Sequence, residues 1–188
     1  MLKHIQEFDK YVLITGFNNV KIREPAEFLK KIQKEKSSSV EIQFFDAQCV
    51  ASWHHLYFAA LNALKAFKNK ENISKSLAVE TILYTSAQRQ IRKAMELLGI
   101  TSKTSRIAML IIADNPQKIE SVSQMVSAFT NRQCDDMVLE LTEEKKVTIQ
   151  KAFGISDVEL EAVMKKSESE TALINLVIER MALLATQR

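Results

Sequence analysis

The chain has 188 residues, 46% of them hydrophobic, with three Gly and two Pro. That is enough apolar material for one compact core, and too little punctuation for a low-complexity tract or a flexible interdomain linker. A formal net charge of +3 does not by itself announce a nucleic-acid binder. No apolar run is long enough to cross a bilayer, and the charged start "MLKHIQEFDKY" lacks the apolar centre of a signal peptide.

"YVLITGF" (Tyr11 to Phe17) is β-rich and predicts a first strand. "EPAEFLKKIQK" follows, with Pro25 in the helical first turn, where its missing N–H costs nothing, and with Phe28, Leu29 and Ile32 on one face. "VEIQFFDA" (Val40 to Ala47) alternates as a second strand. "SWHHLYFAALNALKAFK" places Trp53, Leu56, Tyr57, Ala60, Leu61, Leu64 and Phe67 at helical spacing. "NISKSLAVETILYTSAQRQIRKAMELLGI" (Asn72 to Ile100) predicts two helices. Its apolar stripe, Val79, Ile82, Leu83, Ala87, Ile91, Ala94, Met95 and Leu98, is expected to face the core, and Gly99 to close it in a left-handed cap.

"RIAMLIIA" (Arg106 to Ala113) is a near-continuous apolar run of strand length and predicts a buried central strand. Asp114 or Asn115 caps a helix that opens with Pro116 and turns Ile119, Val122, Val126 and Phe129 inward. "MVLEL" (Met137 to Leu141) alternates like a short fourth strand. The part from 142 to 188 is helical: Thr142 caps one helix, Ser156 with Glu159 forms a capping box for a second, and Ser167 with Glu170 another. The order of elements predicts a single α/β domain (α+β type) over residues 1–188, a small sheet flanked by helices.

Catalytic motifs are missing from this pattern. His54 and His55 are adjacent, so they point to different sides of a helix and cannot chelate one metal as an i, i+4 pair would. One packed and one surface histidine is the simpler expectation. Gly16, Gly99 and Gly154 are too scattered to cradle a phosphate, and no nucleophile–base set stands out. Cys49 and Cys134 lack metal-ligand spacing and fit reduced thiols of a cytoplasmic protein. The expectation is no catalytic residue, no metal and no cofactor, with a binding or adaptor role favoured over an enzyme.

Two features remain unexplained by packing. Charge is polarised: Lys65 to Arg106 holds nine Lys/Arg against three Glu, whereas Asp135 to Glu170 holds ten Asp/Glu against five Lys. Within the basic half, Asn72, Ser74, Lys75, Gln88, Arg89, Gln90, Arg92 and Lys93 combine phosphate-binding cations with amides and hydroxyls suited to sugars and base edges. The other feature is the last helix, apolar on nearly every face through Leu173, Ile174, Leu176, Val177, Ile178, Met181, Leu183 and Leu184. Such a helix is buried all round or is shared between its own core and a partner.

"FDA", then "WHHLYFAALNALKAF", then the Asn72 to Ile100 run, resembles the PRPK-binding protein family, the small kinase-binding subunit of the KEOPS (EKC) complex, and most of all its archaeal members. "FGISDVELE" and "LVIERMALLA" are similar to the family's short capped helix and its closing "ERxALL" helix. Residues 162–175, "AVMKKSESETALIN", make a longer connection than is usual there. The resemblance implies a largely antiparallel central sheet flanked by helices. It also implies a non-catalytic subunit that binds and activates a small atypical kinase/ATPase and helps recruit tRNA by its 3′ CCA end. The reaction served is threonylcarbamoyl-adenosine modification of tRNA, with catalysis in another, metal-dependent subunit. On this reading Ile174, Val177, Ile178, Met181 and Leu184 include core anchors and kinase contacts, and the Asn72 to Lys93 surface meets tRNA. The residues themselves also permit a protein-only adaptor with a solvated basic face, or an enzyme of nucleotide or RNA metabolism.

Overall fold

The structure, a computed structural model, describes residues 1–164 and 169–186. Four strands form one antiparallel sheet in the order β1-β2-β4-β3: β1 (Leu2–Ile5), β2 (Lys10–Phe17), β3 (Glu41–Asp46) and β4 (Ile107–Ala113). β4 lies between β2 and β3, with Tyr11 opposite Ala113 and Glu41 opposite Ile112. Helices cover both faces, so all seven β4 residues are buried, which is why that strand is apolar without alternation.

Strand periodicity divides the core into two. Ala108, Leu110 and Ile112 of β4 join Val12 and Ile14 of β2 and Phe45 of β3 beneath α2 (Trp53–Asn69) and α3 (Leu77–Thr85). Ile107, Met109 and Ile111 face the other way, with Phe17, Ile42 and Phe44, beneath α1 (Pro25–Glu35) and α5 (Pro116–Thr130). α4 (Ile91–Leu98) seals the end of the first core with Ala94 and Leu98. A third cluster joins Ile149 and Phe153 of α6 (Glu143–Phe153) to Leu173, Leu176 and Val177 of α8 (Ser169–Ala182), with α7 (Asp157–Met164) beside them.

The helix starts follow local chemistry. Ser52, Ser76, Asn115 and Thr142 each accept a first-turn backbone N–H, satisfying donors the helix leaves unpaired. Ser156 and Glu159 form the reciprocal capping box before α7. The expected Ser167–Glu170 box lies outside the described residues at Ser167. Among the described residues, no helix is long and apolar enough to cross a membrane.

Four expectations are corrected. The strand expected over 137–141 is instead a 3₁₀ turn, Asp136–Leu139: Asp135 caps it at Met137 N–H, and Lys145 Nζ occupies the Val138 and Glu140 carbonyls that a ladder would need. β1 is an additional strand, paired to β2 through a reversal in which Asp9 takes φ 48°. Gly99 is extended rather than left-handed, with φ −68° and ψ 146°. A Cβ there would lie 2.4 Å from the Met95 carbonyl oxygen, so close approach explains the glycine. Ile91 and Met95 do not face the core; they are 48% and 39% exposed. The stripe is broken because α3 and α4 are separate helices, and the helical phase restarts at Ile91.

Candidate functional site

The basic, amide-rich surface occupies the two ends of α3 and the first turn of α4. Residues 72–76 turn tightly into α3 around Glu80, whose fully buried carboxylate accepts the Ser74 N–H at 2.7 Å and the Ile73 N–H at 3.0 Å. Asn72 Nδ2 donates to the Ser74 carbonyl at 2.9 Å, and Ser74 Oγ accepts from Ser76 N–H at 3.2 Å. Ser74 is buried and Asn72 half-buried, so both side chains serve the turn itself. Their proposed part in recognition reduces to shaping the loop that displays Lys75 and Ile73, both exposed.

The other end of α3 is fixed just as firmly. Gln88 N–H donates to the Leu83 carbonyl and Ala87 N–H to that of Tyr84, the double closure of a Schellman motif. The left-handed position falls on Ala87, φ 51°, where glycine is usual and alanine costs on the order of 1 kcal/mol. Gln88, Arg89 and Gln90 therefore leave α3 at a set angle. Arg89, Gln90, Arg92 and Lys93 are exposed and Gln88 half-buried. Arg92 pairs with Glu96 one turn on at 3.4 Å, an exposed pair that holds it only weakly. Exposed Ile91 and Met95 stand one turn apart among these cations, an apolar element that sequence periodicity assigned to the core.

His55 pins this region to α2. Its Nδ1 accepts the Ala51 N–H at 3.3 Å, and its Nε2–H donates to the Thr85 carbonyl at 2.8 Å, near the end of α3. Acceptance at Nδ1 requires neutral imidazole, and burial pushes its pKa down to about 4 against the opposing pull of the Thr85 carbonyl. His54 is exposed and stacks on Trp53. Lys145, buried, donates to the Val138 carbonyl at 3.1 Å and the Glu140 carbonyl at 2.9 Å; burial and then Arg106 lower its pKa to about 8. Burial, then the Asp46 charge, raises the Cys49 thiol. Among the described residues, no three His, Cys, Asp or Glu side chains gather as a metal site would need.

The closing helix is mostly enclosed. Val177, Met181 and Leu184 are buried, which makes them core residues of this chain. Ile174 and Ile178 are half-buried, beside an outward stripe of Thr171, Asn175 and Glu179. Leu183, just past the helix, is 41% exposed, and Phe58 on α2 is 37% exposed. α8 packs on α2, and Ile178 rests on the same core as Tyr57 and Leu61, both half-buried. On this helix pair the accessible apolar side chains are Phe58 of α2, Ile178 of α8 and Leu183 just beyond it. Sequence reading missed Phe58, which lies off the apolar stripe assigned to the α2 core face.

The chain's sequence corresponds to a known class. The description of the kinase binding protein CGI-121 family matches residues 17–185, from the end of β2 to the turn after α8, and the chain belongs to that family. A relative is the regulatory protein Cgi121 of Methanocaldococcus jannaschii, 28% identical over 116 residues, which are 62% of this chain and 72% of that protein.

Proposed function

We propose that this chain is a non-catalytic regulatory subunit. It binds a small atypical kinase/ATPase of the PRPK type, raises its activity, and helps recruit tRNA by the 3′ CCA end for threonylcarbamoyl-adenosine modification in a KEOPS complex. Membership of a family of kinase-binding proteins is the observation that carries the kinase partner. Accessible apolar side chains on the packed α2–α8 pair support where it docks: Ile178 and Leu183 at the end of α8, with Phe58 on α2, while Val177, Met181 and Leu184 hold the helix from inside. Ile174, one turn before Ile178 on the same helix, contributes at its margin.

The tRNA role rests on the α3–α4 junction. Lys75, Arg89, Arg92 and Lys93 meet phosphates, Gln88 and Gln90 offer amides to base edges, and exposed Ile91 and Met95 supply apolar contact to unstacked bases. Both ends of α3 are held by buried hydrogen bonds, so the surface forms before RNA arrives and little ordering cost falls on binding.

The test uses the purified chain, its cognate kinase and ATP. Ile178→Arg should weaken kinase binding by about thirtyfold, equivalent to roughly 2 kcal/mol, and remove the gain in ATP turnover without changing the unfolding midpoint much. Val177→Arg should unfold the chain, because its charge would be buried without a partner. A kinase affinity unchanged by both Ile178→Arg and Leu183→Arg would move the docking surface elsewhere.

A further inference from the structure

The loop between β2 and α1 (18–24) and the loop between α4 and β4 (99–106) enclose a groove of about 590 Å³ that the kinase and 3′-end readings leave unused. Its rim carries Lys21, Arg23, Lys103 and Arg132, all exposed, and no carboxylate lines it. None of the four belongs to an ion pair among the described residues. Glu24 and Glu27 line the adjoining depression, which Lys21 and Arg23 also border together with Lys31.

The groove is built. Val20 N–H donates to the Ser105 carbonyl at 2.9 Å, joining the two loops, and Arg132 Nε donates to the Asn19 carbonyl at 2.9 Å. Thr104, itself buried, ties the second loop to β3 by donating to Asp46 at 2.8 Å. The cations therefore stand on anchored backbone.

Its chemistry selects among polyanions. A protein partner would want an apolar or aromatic centre inside a polar rim. Here the only aliphatic lining, Val20 and Ile22, is buried at 3% and 7% exposure, and what remains accessible is small and polar or cationic. Rows of cations over a small polar floor fit sugar and phosphate, contacts that position a nucleic acid without reading its sequence. We propose that this groove holds the phosphate backbone of a double-stranded RNA segment. The choice of RNA rests on the tRNA reading above. Along the chain only α4, about 12 Å long, lies between the start of the α3–α4 junction's second helix and the groove's second loop, a distance within the reach of one RNA.

The test measures binding of the full chain to three RNAs across a salt series: whole tRNA, a hairpin without a CCA end, and a short single strand ending in CCA. Lys21→Glu with Lys103→Glu should weaken tRNA and hairpin binding about tenfold and lower the salt slope of log K by about 2, while the single strand binds as before. Arg23→Glu with Lys103→Glu should do the same, which guards against a folding defect in one variant. Unchanged hairpin and tRNA affinity, an equal loss on the single strand, or a loss of kinase binding instead would each overturn the assignment. If only the 3′-end reading is wrong, the single strand fails to bind even the unaltered chain, yet the hairpin still loses affinity with the substitutions.

Discussion

His55 makes the fold acid-sensitive in a calculable way. Its ordinary pKa of 6.5 falls to about 4 in the fold, since burial disfavours the charge and Nδ1 must stay unprotonated to accept from Ala51. The sign follows from proton counting. Between pH 6.5 and 4 the unfolded chain takes up a proton that the folded chain refuses, so the stabilisation is complete above 6.5 and is lost as pH falls towards 4. The whole effect is about 3 kcal/mol, of which about 2 kcal/mol is lost between pH 7 and pH 5. Urea unfolding followed by far-UV circular dichroism at pH 7, 6 and 5 reads it as a falling midpoint at constant m value. His54 is shifted the same way by partial burial and by Lys3, so the quantity to compare is the difference between the unaltered chain and His55→Gln. The latter should be weaker at pH 7 yet nearly flat down to pH 5. Paired carboxylates do not confuse the window: Glu159, lowered to about 2 by the Ser156 N–H and Arg180, loses its contribution only as pH falls through 4.5 towards 2. Equal slopes for both chains would refute the assignment of the neutral imidazole to this position.

Glu80→Gln replaces one of two carboxylate oxygens by an amide that faces the Ile73 or Ser74 N–H, so it should cost roughly 2 kcal/mol of stability and reduce tRNA affinity while kinase binding persists in pull-down. Lys145 works at the alkaline end: its folded pKa of about 8 lies below the ordinary 10.5, so stability rises with pH across that interval. Relative to Lys145→Met, the unaltered chain should gain roughly 2 kcal/mol between pH 8 and pH 10.

The strands and most helices were legible because their periodicities reflect burial on one or two faces. The β4 run, the α2 stripe and the caps at Thr142 and Ser156 appear where the pattern puts them. What failed has physical causes. "MVLEL" alternates like a strand, but Lys145, six residues beyond Leu139, takes its carbonyls, and no local pattern announces a buried lysine. β1 hides in a charged stretch because an edge strand exposes most of its side chains. The α3–α4 junction misled the reading of Ile91 and Met95: two helices were expected, but the Schellman closure at Ala87 uses no glycine, and one apolar stripe was carried across it. Composition picked out the cations of the candidate RNA surface. The buried Glu80 that shapes their loop became visible only through its hydrogen bonds, as did the inward turn of Asn72 and Ser74.

The central claim, that the α3–α4 junction receives the 3′ end of tRNA, is tested most directly by a double cycle on one measured affinity. Lys75→Glu with Arg89→Glu is combined with removal of the CCA end from the RNA. Each change alone should weaken binding by a similar factor, and kinase association should remain intact. If the two contact each other, adding the charge reversals to truncated tRNA should cost little more. Fully additive losses would contradict the claim and place the RNA end elsewhere on the protein.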